Sequence, residues 1–160
     1  MIVYCLGMQS SGSTWLYNVV REILAADDVP HTAYRVELYE HLFDPRAFEH
    51  RHGVLRAHNV DSLLLRLLKM TDTKAVLSYR DPRDAVASFL QRFGNYGGRF
   101  LPICNDIHRN LASLLSASQM LHQVSFFYED GFTTKVATIQ RLAQSSRHHR
   151  MAEYSTKRPK

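Results

Sequence analysis

Apolar residues along the chain follow two patterns, short continuous runs and longer stretches in which they recur every three or four positions. The short runs are typical of buried strands, and the longer stretches are typical of helices with one apolar face. Strands are predicted at IVYCL, GVLRAH, KAVLSYRD and QVSFFYED, and helices after the first strand and at NVDSLLLRLLKM, RDAVASFLQRF and TTKVATIQRLAQ. This alternation predicts an α/β fold of three layers, with a central, mainly parallel sheet and helices on both faces.

Local signals mark where several helices begin. Asp81 is a natural N-cap with Pro82 at the first helical position, and Asn59 or Asp61 caps the preceding helix. The sequence NYGG separates the Pro82 helix from a longer one that follows. The segment HTAYRVELYEHLFDPRAFEHRHG is the hardest to assign, and a further strand–helix unit is its best interpretation.

Four residues with binding chemistry lie at or just past the ends of predicted strands. They are Gly7, His58, Arg80 and Tyr128. In open sheets of parallel strands, ligands bind at the carboxyl ends of the strands. The sequence therefore predicts a ligand site at this edge, built from residues far apart along the chain.

The loop GMQSSGSTW follows the first strand directly. Gly7, Gly12 and Thr14 match the phosphate loop G-x-x-x-x-G-K-[ST], but Ser13 stands where that loop has lysine. Successive backbone amides, the helix dipole and hydroxyl groups predict an anion cradle, although a serine-rich turn that caps the helix is the plainer alternative. The hydroxyl side chains are those of Ser10, Ser11, Ser13 and Thr14.

The segment SSGSTW resembles the 5′-phosphosulfate loop of sulfotransferases that use 3′-phosphoadenosine 5′-phosphosulfate (PAPS). The resemblance implies a fold like that of P-loop nucleoside triphosphate hydrolases. It also implies that the loop contacts the donor through Ser11, Gly12, Ser13, Thr14 and Trp15. The family has lysine or arginine at the position of Ser10, so this chain lacks the usual catalytic cation of the loop.

The segment SYRDPRDAVASF resembles the family's 3′-phosphate motif, R-[ND]-P-[RK]-D-x-x-x-S. The resemblance implies that Arg80 and Ser88 hold the 3′-phosphate, which distinguishes PAPS from ordinary nucleotides. The segment FFYED resembles a strand-end Y-E-D of the family, which implies that Tyr128 lies against adenine, with Trp15 as a stacking platform. Taken alone, an aromatic residue at such a position is more often part of the core, and this is the alternative for both.

The segment LRAHNVDSLL resembles the family's K-T-H segment, whose histidine is the general base toward the acceptor. By this match His58 takes the acceptor proton, and Arg56 occupies the lysine position, where it can replace the missing loop cation. A capping or surface histidine is the alternative, since the chain has nine histidines. The proposed chemistry requires no metal.

The resemblance implies in-line transfer of a sulfuryl group from PAPS to a hydroxyl or amine, with release of adenosine 3′,5′-bisphosphate (PAP). The acceptor is expected to be a small molecule or a carbohydrate. Two alternatives stay open: a module of this fold that binds PAPS or PAP without catalysis, and a P-loop kinase or NTPase.

Length and charge add limits to this interpretation. The 160 residues predict one domain over residues 1–146 and a basic C-terminal tail over residues 147–160, and the formal net charge is +5. The charge suits an anionic ligand but is too small to indicate nucleic acid. No apolar run reaches the about 18 residues of a membrane span. Cys5 and Cys104 are expected as free thiols in a cytoplasmic protein.

Overall fold

A single parallel sheet organises the fold in the computed structural model, which describes residues 1–44, 49–94 and 100–144. Its strand order is β2-β3-β1-β4-β5, and each neighbouring pair of strands is parallel. The strands are β1 Ile2–Gly7, β2 His31–Arg35, β3 His52–Ala57, β4 Thr73–Tyr79 and β5 His122–Phe127. The predicted α/β class and parallel sheet are confirmed, and β1 lies at the centre.

Helices occupy the connections between most of the strands. They are α1 Ser13–Ala26, α2 Ser62–Met70, α3 Pro82–Phe93 and α4 Phe100–Met120, and residues 136–144 are also helical. None of these described helices is long and apolar enough to cross a membrane. The predicted break at NYGG lies outside the described residues. Between β2 and β3, the expected helix is replaced in the described residues by a short 3-10 turn, Tyr39–Phe43.

The two faces of β1 supply the two halves of the core. Val3 and Cys5 face α1, whereas Tyr4 and Leu6 face α2, α3 and α4. This alternation follows from the period of two in a strand, and both faces are buried because helices cover each of them. The result is the three-layer arrangement that the sequence predicts.

Side-chain caps fix the starts of two helices close to the carboxyl edge of the sheet. The Asp61 carboxylate accepts a hydrogen bond from the Leu64 amide at 2.8 Å, so Asp61 rather than Asn59 caps α2. The Asp81 carboxylate accepts from the Arg83 amide at 2.9 Å, and α3 begins at Pro82 as predicted. Because only Arg80 and Asp81 separate β4 from α3, the first turns of α3 lie beside the strand ends.

Candidate functional site

A cleft of about 570 Å³ lies at the carboxyl edge of the sheet. All five strands contribute to it, because its lining includes the last residue of β2 and residues that follow the other four strands. The strand order therefore sets the order of side chains along the cleft, from the β2 end to the β5 end. The lining residues central to the site are Arg35, His58, Ser10, Gly12, Ser13, Thr14, Trp15, Arg80, Ser88 and Tyr128.

The loop after β1 is held in a tight turn by close packing. A Cβ atom on Gly7 would lie 2.0 Å from the Ser78 hydroxyl oxygen, so only glycine fits there. Gly12 has a φ of +82°, and a Cβ atom on it would lie 2.9 Å from the Phe132 ring. These two glycines let the loop fold back on the strand and bring its backbone to the cleft.

The start of α1 faces the cleft and suits an anion. Ser13, Thr14 and Trp15 all line the cleft, and Ser13 is the first residue of this 14-residue helix. The N-cap residue is Gly12, which has no side chain to accept hydrogen bonds from the first amides. The free amides and the positive end of the helix dipole therefore remain for a ligand.

Ser11 differs from its neighbours, because the structure places it behind the loop and outside the cleft lining. Its side chain is fully buried, and its hydroxyl donates to the Met8 carbonyl at 2.7 Å and lies 2.8 Å from the Ser78 hydroxyl. Its amide also donates to the Met8 carbonyl, at 3.2 Å. The hydroxyl expected to contact the ligand is thus engaged with the protein and stabilises the turn.

Arg80 and Ser88, the two residues of the 3′-phosphate motif, both line the cleft. Arg80 donates through Nη1 to the Ser10 carbonyl at 2.8 Å, and its guanidinium lies 4.3 Å from the centre of the Tyr128 ring. Its Nε atom is buried and has no hydrogen-bond partner in the described part of the chain. The guanidinium group of Arg80 is a fixed positive charge in the cleft lining, which suits an anionic group.

Two aromatic residues flank the loop through a shared contact with Phe132. Trp15 packs on Phe132 with ring centres 5.9 Å apart, and Tyr128 meets the same ring edge-on at 6.2 Å. Both residues also line the cleft. They therefore contribute to the core and to the cleft at once, and the two interpretations from sequence are compatible.

His58 lies just past β3 and is fixed by its ring nitrogen and its amide. Nδ1 lies 2.7 Å from the Gly7 carbonyl oxygen, so Nδ1 carries the proton and donates. The His58 amide donates to Oε1 of Glu37 at 3.2 Å. Nε2 is then the ring nitrogen left with a lone pair, which is the atom a general base needs.

The charge state of His58 follows from its surroundings. Burial is the main cause that lowers the pKa of His58 below its usual 6.5, and the nearby Arg56 and Arg35 guanidinium groups lower it further. The Gly7 carbonyl and the Glu37 carboxylate oppose this shift. The net direction favours a neutral imidazole at pH 7.

The arginines of the site are arranged differently from the sequence expectation. Arg56 donates through Nη1 to the Thr14 hydroxyl at 3.0 Å and lies over the Tyr17 ring, outside the cleft lining. The lining instead contains Arg35 and Arg92, which sequence reasoning missed. A signal for each was present, since Arg35 ends β2 and Arg92 follows Ser88 by one helical turn.

Among the described residues, no group of three or more His, Cys, Asp or Glu side chains lies close enough together to bind a metal ion. The polar chemistry of the cleft therefore consists of arginine guanidinium groups, hydroxyl groups, backbone amides and one imidazole. This set is suited to an anionic organic ligand such as a phosphorylated nucleotide.

The family of the chain is shown by a match over most of its length. The sulfotransferase domain family model matches residues 3–145, so the chain belongs to the sulfotransferase domain family. No curated protein matches the chain significantly. The family assignment therefore agrees with the resemblance in the short motifs of the sequence.

Two solved structures share the fold at low sequence identity. A retinol dehydratase in complex with retinol and PAP is 18% identical with a TM-score of 0.53, and the match covers 89% of this chain and 59% of that one. The YorR protein of Bacillus subtilis, in complex with phosphorylated GDP, is 15% identical with a TM-score of 0.56. That match covers 97% of this chain and 98% of YorR. The chain thus spans less than two thirds of the retinol dehydratase.

Proposed function

We propose that the chain binds PAPS in the cleft and transfers its sulfuryl group to a hydroxyl or amine acceptor. The observation that carries this proposal is the common location of His58, the start of α1 and the Arg80–Ser88 pair along one cleft. The PAP bound to the retinol dehydratase and the phosphorylated GDP bound to YorR support it. Both ligands are phosphorylated nucleotides held by the same fold.

The donor is assigned to the cleft by the chemistry of its two ends. Arg80 and Ser88 hold the 3′-phosphate, because both line the cleft and the Arg80 guanidinium supplies a fixed positive charge there. The amides at the start of α1 and the Ser13 hydroxyl bind the 5′ end of the donor. Tyr128 lies against the base, next to the arginine that it already contacts.

The transfer step uses the free lone pair of His58. As the acceptor oxygen or nitrogen forms its bond to sulfur, Nε2 takes the acceptor proton. The bond between sulfur and the bridging oxygen of the 5′-phosphate breaks, and its electron pair leaves with PAP. The Gly7 carbonyl stabilises the imidazolium that forms, because it still accepts from Nδ1 at 2.7 Å.

Calorimetry with PAP and with adenosine 5′-monophosphate tests the donor site directly. Charge-assisted hydrogen bonds to a 3′-phosphate should make PAP bind about ten- to a hundredfold more tightly. The Arg80→Gln variant should lose this preference. Arg83→Gln is the matched control, because the Arg83 side chain is 90% exposed and pairs with Asp81 outside the cleft. Equal affinity for the two nucleotides would contradict the proposal.

A binding module without catalysis is the second candidate, and one observation favours it. The loop over residues 9–15 contains no lysine or arginine, and Arg56 lies outside the cleft lining. Incubation with labelled PAPS and a panel of hydroxyl and amine acceptors separates the two functions. Transfer of label supports the enzyme, whereas tight PAP binding without transfer supports the module. Competition by ATP instead of PAP would indicate a P-loop kinase or NTPase.

A further inference from the structure

Sulfuryl transfer would take place at the end of the cleft near His58, which we call the reacting end. This end needs a positive charge that the loop does not supply. Negative charge develops on the bridging oxygen and on the sulfuryl group during transfer, and a fixed cation stabilises it. Ser10 stands at the loop position where the family has lysine or arginine. Arg56, at the other position with a family cation, donates to the Thr14 hydroxyl and lies outside the cleft lining.

Arg35 and Arg56 are register partners on adjacent strands, but they make different contacts. Arg35 donates to Oε1 of Glu37 through Nη2 at 2.9 Å and through Nε at 3.3 Å. The same oxygen accepts from the His58 amide at 3.2 Å. One carboxylate oxygen therefore links the Arg35 guanidinium to the backbone of the proposed base.

We propose that Arg35 supplies the positive charge at the reacting end of the cleft, and that Glu37 is the positioning residue that holds it beside His58. This inference rests on the proposed function, because it concerns the sulfuryl group of the donor. Arg35 and His58 both line the cleft, and one Glu37 oxygen lies 2.9 Å from Nη2 of Arg35 and 3.2 Å from the His58 amide nitrogen, so a sulfuryl group near His58 lies close to Arg35.

The strand order makes the role of Arg35 distinguishable from that of Arg80. Arg35 ends β2 at one edge of the sheet, whereas Arg80 follows β4 on the other side of the central loop. The sulfuryl group is present in PAPS and absent from PAP, while both carry the 3′-phosphate. Loss of the Arg35 charge should therefore affect PAPS, and loss of the Arg80 charge should affect both nucleotides.

Calorimetry on the full chain with PAPS and PAP tests this assignment. In Arg35→Gln, PAPS affinity should fall about tenfold while PAP affinity stays within about twofold, since one charge-assisted contact is removed. Turnover should fall on the order of 10²–10³-fold. Arg35→Lys should recover part of the PAPS affinity. Lys69→Gln, which removes one exposed charge from α2, serves as the control for net charge.

The pKa of His58 is a second measurement that depends on the position of the Arg35 charge, and it requires no nucleotide. The groups that face His58 are Arg35 at the end of β2, Glu37 just after it, Arg56 in β3 and the Gly7 carbonyl of β1. Titration of His58 by NMR should show a higher pKa in Arg35→Gln, because a nearby positive charge is removed. Glu37→Gln should lower the same pKa. Unfolding would also raise the pKa of His58, because burial is the main cause that lowers it, so circular dichroism must first show that Arg35→Gln is folded.

Specific outcomes overturn the assignment of Arg35. It is wrong if Arg35→Gln weakens PAPS and PAP equally, if it changes neither affinity, or if Arg56→Gln causes the larger loss of PAPS affinity. Failure of the proposed function has a different signature, because the unaltered protein would then show no preference for PAP over adenosine 5′-monophosphate. Failure of the Arg35 assignment is therefore measured on Arg35→Gln with PAPS and PAP. Failure of the proposed function is measured on the unaltered protein with PAP and adenosine 5′-monophosphate.

Discussion

A single hydrogen bond at His58 determines what the imidazole can do. Because the Gly7 carbonyl accepts from Nδ1 at 2.7 Å, the lone pair is placed on Nε2 and the ring is oriented by the strand β1. If His58 only capped the end of the strand, the position of its other ring nitrogen would not matter, and that nitrogen could lie in solvent. In this chain the same ring also lines the cleft, together with Ser13 and Arg80. The residue therefore anchors the loop through Nδ1, and Nε2 remains the proposed base.

Replacement of His58 by glutamine should separate catalysis from binding. Turnover should fall by about 10²–10⁴-fold, the range for loss of a general base, while PAP affinity should change little. Because burial lowers the pKa of His58, protonation and loss of activity should occur below pH 6.5 as the pH falls. Calorimetry and a pH–rate profile measure these effects, with the exposed His122→Gln as control. Unchanged turnover in His58→Gln would exclude it as the base.

Elements near the strand ends depend on residues that join neighbouring segments. Asp61 caps α2 through Oδ1, and its Oδ2 accepts from the Tyr39 amide at 2.8 Å. The 3-10 turn after β2 is thereby attached to the start of α2. Two elements that the sequence separates by about twenty residues are thus fixed by one carboxylate.

Loss of an N-cap side chain lowers the free energy of unfolding by about 0.5–2 kcal/mol, and Asp61→Ala should lower it by at least this amount. The loss should exceed that of a simple cap, because the Tyr39 amide also loses its partner. Asp61→Asn retains one acceptor oxygen and should recover part of the stability. Urea denaturation followed by circular dichroism measures the difference. Equal stability of the alanine variant and the unaltered protein would show that this junction is dispensable.

The sequence predicts the elements well where local signals decide them, as at Asp81 and Pro82. It also predicts that residues after different strands meet, because parallel strands end at one edge. It misses features that depend on distant contacts. Ser11 is buried against Ser78, 67 residues away, whose hydroxyl donates a hydrogen bond to it because the Ser11 proton is donated to the Met8 carbonyl. The position of Arg35 in the cleft depends on how β2 pairs with β3, in the segment that sequence patterns assign least clearly.

At the scale of the whole molecule, Glu37 connects a second cavity to the candidate site through its hydrogen bonds. Glu37 lines a second cavity of about 810 Å³, while its partners Arg35 and His58 line the cleft. The second cavity is bounded by α2, α4 and the segment after β2. Glu37 is the residue through which an occupant of that cavity would affect the proposed base.

The distribution of charge along the chain leads to a prediction about the basic residues 147–160 and nucleotide binding. Residues 147–160 contain five Lys and Arg residues and one Glu, so removing them leaves residues 1–146 with a net formal charge of +1. If anion binding depends on arginines in the cleft, the net charge of the chain matters little. At physiological ionic strength the Debye length is about 8 Å, which screens charges farther from the ligand.

A chain that ends at residue 146 should therefore bind PAP within about twofold of the full chain at physiological ionic strength. Arg92→Gln in the full chain should weaken binding more, although it removes one charge rather than four, because Arg92 lines the cleft. Calorimetry at two salt concentrations measures both effects, and thermal unfolding verifies that the shorter chain folds. A larger loss in the shorter, folded chain than in Arg92→Gln would show that the tail contributes directly to nucleotide binding.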